Sequence, residues 1–281
     1  MNRLIRGCAL ALLALSSAPA FSQTVINSTI QRWTTATTMP AGLAFPSNVT
    51  AGDGIVAAFG IYVSGGVASI TCSDTQGNSF SVAQEPTTDG QTVALCYGVA
   101  GATGADTISV VYPTSAEGWQ GVAEVTGLPS MTLDTAATLA TGTSALPASN
   151  TATPAGANEV AFGFFASQLA NLTGSWGNSY VNLGNYSGNG TTGGFSDSVV
   201  SASTSTSYAL TSSHSWDFGL VIFKAGGGAT CTHKGLLSNG TKAIPTSGST
   251  VVWRKDGTFG TVDCMATQYW QPDNGQVFGV N

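Results

Sequence analysis

Charge is scarce in this chain: Asp, Glu, Lys and Arg make up 8% of its 281 residues, and only two histidines, His214 and His233, are present. With so few Lys, Glu, Arg and Gln, and no convincing 3.6-residue apolar period after the first residues, a helical fold is excluded as the main architecture. No G-x-S-x-G elbow occurs, and the two histidines stand on opposite sides of the glycine run at 226–228. A serine hydrolase of the usual kind is therefore not expected. C-x-x-C and H-x-x-x-H spacings are absent, which removes the common zinc patterns, and no cofactor motif stands out. After the first twenty residues no apolar run approaches eighteen residues, so no membrane insertion is expected.

The opening "MNRLIRGCALALLALSSAPAFSQ" places Arg3 and Arg6 before an apolar run and ends at small residues Ala18 and Ala20. That pattern reads as a secretory signal peptide over residues 1–20, with a secreted or extracellular mature chain, the periplasm included. Without Arg3 and Arg6, six basic residues face fourteen acidic ones. Nucleic acid and anionic membrane surfaces are not expected partners of such a chain. The balance is uneven: residues 21–225 hold eleven acidic and two basic residues, whereas 226–281 hold three acidic and four basic.

What is present is Gly, Ser, Thr, Ala and Val, with short Val/Ile/Phe runs cut by Gly, Pro and Asn at intervals of about 8–12 residues. "GIVAAFGIYV", "QTVALCYGV", "WQGVAEVTG", "EVAFGFFAS" and "WDFGLVIFKA" read as strands, with the continuous apolar ones central. The Ser/Thr-rich stretch Val199 to Thr211 reads as solvated and near an edge. The fold class is thus all-β, an antiparallel two-sheet sandwich of jelly-roll type over 21–225. "GGGA" at 226–229 reads as a linker, and 230–281 as a small C-terminal β module. Four cysteines follow the signal segment, and an oxidising compartment makes disulfides the natural reading. Three pairings are possible; Cys72 with Cys96 and Cys231 with Cys264 keeps each pair on one side of the glycine run.

Several phrases, among them "NVTAGDGIVAAFGI", "ITCSDTQGNSF", "GADTISVVY" and "ANEVAFGFFAS", resemble a widespread group of exported bacterial β-sandwich domains. Members of that group carry a D-S-Q-G-N-T-Y turn and a G-A-D-T-V-T-V strand. The resemblance runs from Asn48 to Ala225 and implies a sandwich fold, with no defining catalytic residues. Cys72 and Cys96 depart from the group's pattern, and the C-terminal module has no counterpart in it.

In "SDTQGN", Asp74, Gln76 and Asn78 alternate as calcium ligands would, and Glu85 falls where a twelfth-position ligand would stand. Ser79 occupies the position that needs Gly, so a hairpin with Gly77 at positive φ is the favoured reading and no metal is expected. "SSHSWD" brings Ser213, His214 and Asp217 together in sequence, but a strand sends Ser213 and His214 to opposite sides. Among the carboxylates Glu117, Glu124, Asp134, Glu159 and Asp197, Glu124 is the most strand-central. Glu159 reads as following a turn and Asp197 as beginning a strand. A carboxylate pair is the basis of the enzyme alternative, an extracellular polysaccharide-active enzyme.

Aromatics carry the binding expectation. Trp253, Phe259, Tyr269, Trp270 and Phe278 lie within the last thirty residues, interleaved with Arg254, Lys255, Gln268 and Asn274. Flat rings present apolar faces to sugar C–H groups while amides and charges bond hydroxyls, a mode suited to a polysaccharide or cell-surface glycan. Filling the core of a small disulfide-bonded module is the competing role. "GSWGNSYVNLGNYSGNG" adds Trp176, Tyr180 and Tyr186 in a Gly/Asn setting. The expected function is non-catalytic glycan binding or adhesion, with the enzyme and a purely structural surface protein as alternatives.

Overall fold

The computed structural model describes residues 23–33, 42–62, 69–84, 90–111, 117–128, 130–168, 172–187 and 191–225, and the backbone of short paired strands after residue 234. The chain divides into two compact units, the larger being Phe21–Gly227. The described residues contain strands and no helix, and none of their segments is a helix long and apolar enough to cross a membrane.

Eight strands form the first half of the larger unit: β1 (Thr24–Trp33), β2 (Leu43–Ala44), β3 (Gly54–Tyr62), β4 (Thr71–Asp74), β5 (Phe80–Gln84), β6 (Gln91–Val99), β7 (Thr107–Val111) and β8 (Glu117–Thr126). One sheet runs β1-β8-β3-β6-β5 and the other β2-β7-β4, all antiparallel, which is a jelly-roll order. The second half repeats it with β9 (Leu133–Ala136), β10 (Ala140–Ser144), β11 (Glu159–Gln168), β12 (Leu172–Trp176), β13 (Val181–Tyr186), β14 (Thr191–Val200), β15 (Tyr208–Leu210) and β16 (His214–Phe223). Its large sheet runs β10-β16-β11-β14-β13, with β9 also on β16, and β12 pairs with β15. The place of β2 is taken by bridges Ala148 to Ser207 and Ala152 to Thr204, the counterparts of Val49 to Gly104. The jelly roll expected once thus occurs twice in tandem.

The large sheets pack face to face, β3 against β11, β8 against β14 and β6 against β16. Each is covered on its outer face by its own small sheet. Three cores result. Ile55, Ala57, Phe59 and Ile61 of β3 fill the first jelly roll with Ile108 and Val110 of β7. Val56, Ala58, Trp119, Phe162, Phe164 and Phe195 fill the space between the large sheets. Phe165, Trp176, Tyr208, Phe218 and Leu220 fill the second jelly roll. Strands buried on both faces need apolar residues at odd and even positions alike, which is why β3, β11 and β16 read as continuous apolar runs.

Glycines set the closest approach at the middle. A Cβ on Gly60 or Gly193 would come within 2.4 or 2.3 Å of Trp119 Nε1, so the fully buried indole lies in a slot floored by both sheets. Phe195 stacks beside it at 6.4 Å. Cys72 and Cys96 are bridged, joining β4 to β6 and so tying the two sheets of the first jelly roll together. Cys231 and Cys264 lie outside the described residues. The stretch Val199 to Thr211 departs from the solvated-edge reading: Tyr208 and Leu210 are buried, and β15 lies between β12 and the bridged segment at 148–152. Asp197 lies within β14 instead of beginning a strand.

In the C-terminal unit the described backbone forms three antiparallel pairs: β17 (Gly235–Leu236) with β18 (Lys242–Ala243), β19 (Ser249–Trp253) with β20 (Phe259–Asp263), and β21 (Gln268–Trp270) with β22 (Val277–Gly279).

Candidate functional site

The loops at which β3 and β11 begin lie at one end of the larger unit, and there carboxyl groups meet in pairs. In the first repeat Glu124, near the end of β8, is 1% exposed. Its Oε1 accepts the Thr50 N–H at 2.6 Å and its Oε2 accepts Asn27 Nδ2 at 3.2 Å. Asn27 also donates to Ser47 O at 3.1 Å. Burial and then the nearby Glu124 carboxyl raise the pKa of Asp53, opposed by a bond from Thr126. In the second repeat Asp134 accepts the Ala155 N–H at 2.7 Å and faces Lys224 Nζ at 3.9 Å. Glu159 is 3% exposed; burial and then the Asp134 carboxyl raise its pKa, while the Gly156 N–H and Lys224 act the other way.

The third pair answers the question posed by "SDTQGN". Asp74 accepts the Asn78 N–H at 2.8 Å and Asn78 Nδ2 at 2.6 Å, and Gly77 has φ 78°. Asn78 Oδ1 in turn accepts the Gly101 N–H at 2.8 Å. This is a turn closed by its own side chains. Behind it Asp106 is 2% exposed, held by Thr75 Oγ1 at 3.0 Å and the Thr107 N–H at 2.8 Å. Burial raises its pKa and Asp74 adds to the rise. Among the described residues no three His, Cys, Asp or Glu side chains converge as a metal site.

Glycosidases hold two carboxyls about 5–10 Å apart across the bond they cleave. Here Glu124 accepts the Thr50 N–H and Asn27 Nδ2, Asp134 the Ala155 N–H, Asp74 the Asn78 N–H and Asp106 the Thr107 N–H, an arrangement that fixes loops.

The other residues singled out in the sequence are dispersed. His214, at the start of β16, has Ser212 Oγ at 2.9 Å from Nε2, while Asp217 is buried at 2% exposure. Glu117 begins β8, at the far end of that strand from Glu124. Trp176 is 7% exposed: its ring packs edge-on to Phe165, Tyr208 and Phe218, and its Nε1 donates to Asn182 and Asn185 Oδ1, each at 3.2 Å. It is a core residue, which corrects the expectation that it presents a face to ligand. Tyr180 is also buried, and desolvation pushes its phenol up to about 12. Tyr186 is half-buried beside the central core. Trp253 pairs in register with Phe259, Tyr269 with Phe278 and Trp270 with Val277; their side chains lie outside what is described.

Sequence reasoning did not single out Asp53, Asp106 or Asn27. Their one local signal is position, Asp53 and Asp106 each standing at the foot of a strand. No family model, no curated protein and no solved structure matches the chain.

Proposed function

We propose that this is an exported protein that binds a polysaccharide or cell-surface glycan without cleaving it, and that binding resides in the C-terminal unit. The observation that carries this reading is the register after residue 249, where Trp253 is paired with Phe259 and Tyr269 with Phe278 across short strands. Short strand pairs dense in aromatics offer flat apolar faces to sugar rings, and the neighbouring Arg254, Lys255 and Gln268 offer donors to hydroxyls. The bridge between Cys72 and Cys96 suits an oxidising compartment, in agreement with the signal-like opening. Kinship with the exported bacterial sandwich group belongs to the same proposal and rests on the shared turn and strand phrases. A glycan array probed with the full mature chain, followed by retention on the matching insoluble polysaccharide, tests it. Saturable retention that free oligosaccharide displaces is expected; no array signal and no retention on any polysaccharide would overturn it.

A further inference from the structure

The first repeat is tied by the bridge between Cys72 and Cys96, whereas residues 130–225 contain no cysteine. They contain instead the one lysine of the larger unit, Lys224, which directly follows β16. Its backbone N–H donates to Thr132 O at 2.9 Å, and its Nζ lies 3.9 Å from Oδ1 of Asp134 on β9, a side chain 5% exposed. Asp134 stands where the register shifts, between Thr135 opposite Ile222 and Leu133 opposite Phe223. Such a bulge re-aims a side chain. On the other flank of β16, Val160 pairs with Phe223, so Glu159 at the start of β11 comes alongside Lys224. We propose that Lys224 and Asp134 condense to an amide, an isopeptide bond that ties the first and last strands of the second repeat, with Glu159 carrying the protons.

The parts of an acyl-transfer site are present. Asp134 Oδ2 accepts the Ala155 N–H at 2.7 Å, a donor placed to stabilise the oxyanion that forms when nitrogen attacks Cγ. Gly156, the next residue of that loop, lies against Glu159: a Cβ there would come 2.8 Å from its Oε1. Glu159 is 3% exposed, and its Oε2 is buried without a hydrogen-bond partner. Burial raises its pKa, which suits it to carry a proton. In the step, Glu159 gives its proton to Asp134 Oδ1 and takes one from the Lys224 ammonium. The freed Nζ electron pair bonds to Cγ, and the charge passes to Oδ2 under the Ala155 N–H. The Cγ–Oδ1 bond then breaks, and Oδ1 leaves as water with a second Nζ proton relayed by Glu159. An ammonium and a carboxylate are consumed, one amide and one water form, and no oxidant or further reactant is needed. Strand pairing holds the two groups together, which supplies the effective concentration that this condensation lacks in solution. The Lys224 side chain is 53% exposed, so the water has a way out.

Intact-mass measurement of the full mature chain, reduced so that disulfides do not contribute, tests this. The wild type should be lighter by one water than the sequence from its observed N-terminus, and fragmentation of a digest should yield one branched peptide joining Asp134 to Lys224. Lys224→Arg, which keeps the charge, and Asp134→Ala should have the full mass, and Glu159→Gln should have it in most molecules. A wild-type chain of full mass would overturn the proposal whatever the variants do. So would a missing water that fragmentation places elsewhere, as a cyclic imide at Asp53-Gly54 for example. A Glu159→Gln chain condensed as completely as the wild type would overturn the proton route.

Discussion

Asp197 shows how placement sets the chemistry of a single side chain. It lies on β14 opposite Phe162 and Val181, and burial lifts its pKa from 3.8 to about 6. Because the folded state holds the proton more tightly than the unfolded one, the resulting stability is fully present below about pH 4 and is lost as pH rises through about 6. Asp197→Asn should therefore melt above wild type at pH 7.5, an advantage that shrinks as the medium is acidified; a variant no more stable than wild type at pH 7.5 would contradict this assignment. The Cys72 to Cys96 bridge closes a loop with a sequence separation of 24 residues, worth about 3.5 kcal/mol in the chain-entropy model, as an upper figure. Without reductant Cys72→Ser/Cys96→Ser should have a lower urea midpoint than the wild type, and reductant should close that gap. That bridge was legible because four cysteines divide two and two around a glycine run, and the Asp74 turn because its residues act on neighbours a few positions away. Asp53 and Asn27 were not, since their partner Glu124 comes to them only through sheet pairing.

At the scale of elements, β14 holds the lesson. Its "TTGG" start carries two glycines of low β propensity, yet in the fold Gly193 leaves room for the Phe165 carbonyl of the neighbouring strand and for the Trp119 indole of the facing sheet. Gly121→Val, on β8, drives a branched side chain into the Phe195 ring of β14 across the two sheets and should cost about 1–3 kcal/mol in urea unfolding. Gly104→Ala, whose Cβ would meet only Gln76 Nε2 at 3.6 Å, should stay within about 0.5 kcal/mol of wild type. Equal effects at the two sites would deny the tight slot between the sheets. The strands "VAFGFF" and "FGLVIF" were legible as central because burial on both faces removes alternation. Tyr208 and Leu210 were hidden by their Ser/Thr neighbours, whose polar side chains suggested an edge although alternate positions pack inward.

For the whole molecule, the all-β class and jelly-roll form were legible from strand spacing, whereas the duplication was not. Afterwards its traces can be found: "AGDGIVAAFG" and "AGANEVAFGF" lead into the two central strands, and "WQG" and "WDFG" open the last ones. Packing two jelly rolls through their large sheets buries most of their apolar surface inside the unit. Trp176 is buried in the core of the second jelly roll, and the proposed function assigns recognition to the aromatics of the C-terminal unit. Charge separates the two as well. Residues 21–225 carry eleven acidic groups against two basic ones, a body that repels acidic glycans, while 226–281 is close to neutral. Retention on insoluble polysaccharide, compared among the intact mature chain, a chain ending at Ala225 and the single changes Trp253→Ala, Tyr269→Ala and Trp270→Ala, tests the assignment most directly, with circular dichroism confirming folding in each case. Loss of retention on truncation, and a drop of roughly tenfold or more for at least one aromatic change, is predicted; a chain ending at Ala225 that is retained as well as the intact protein would contradict it.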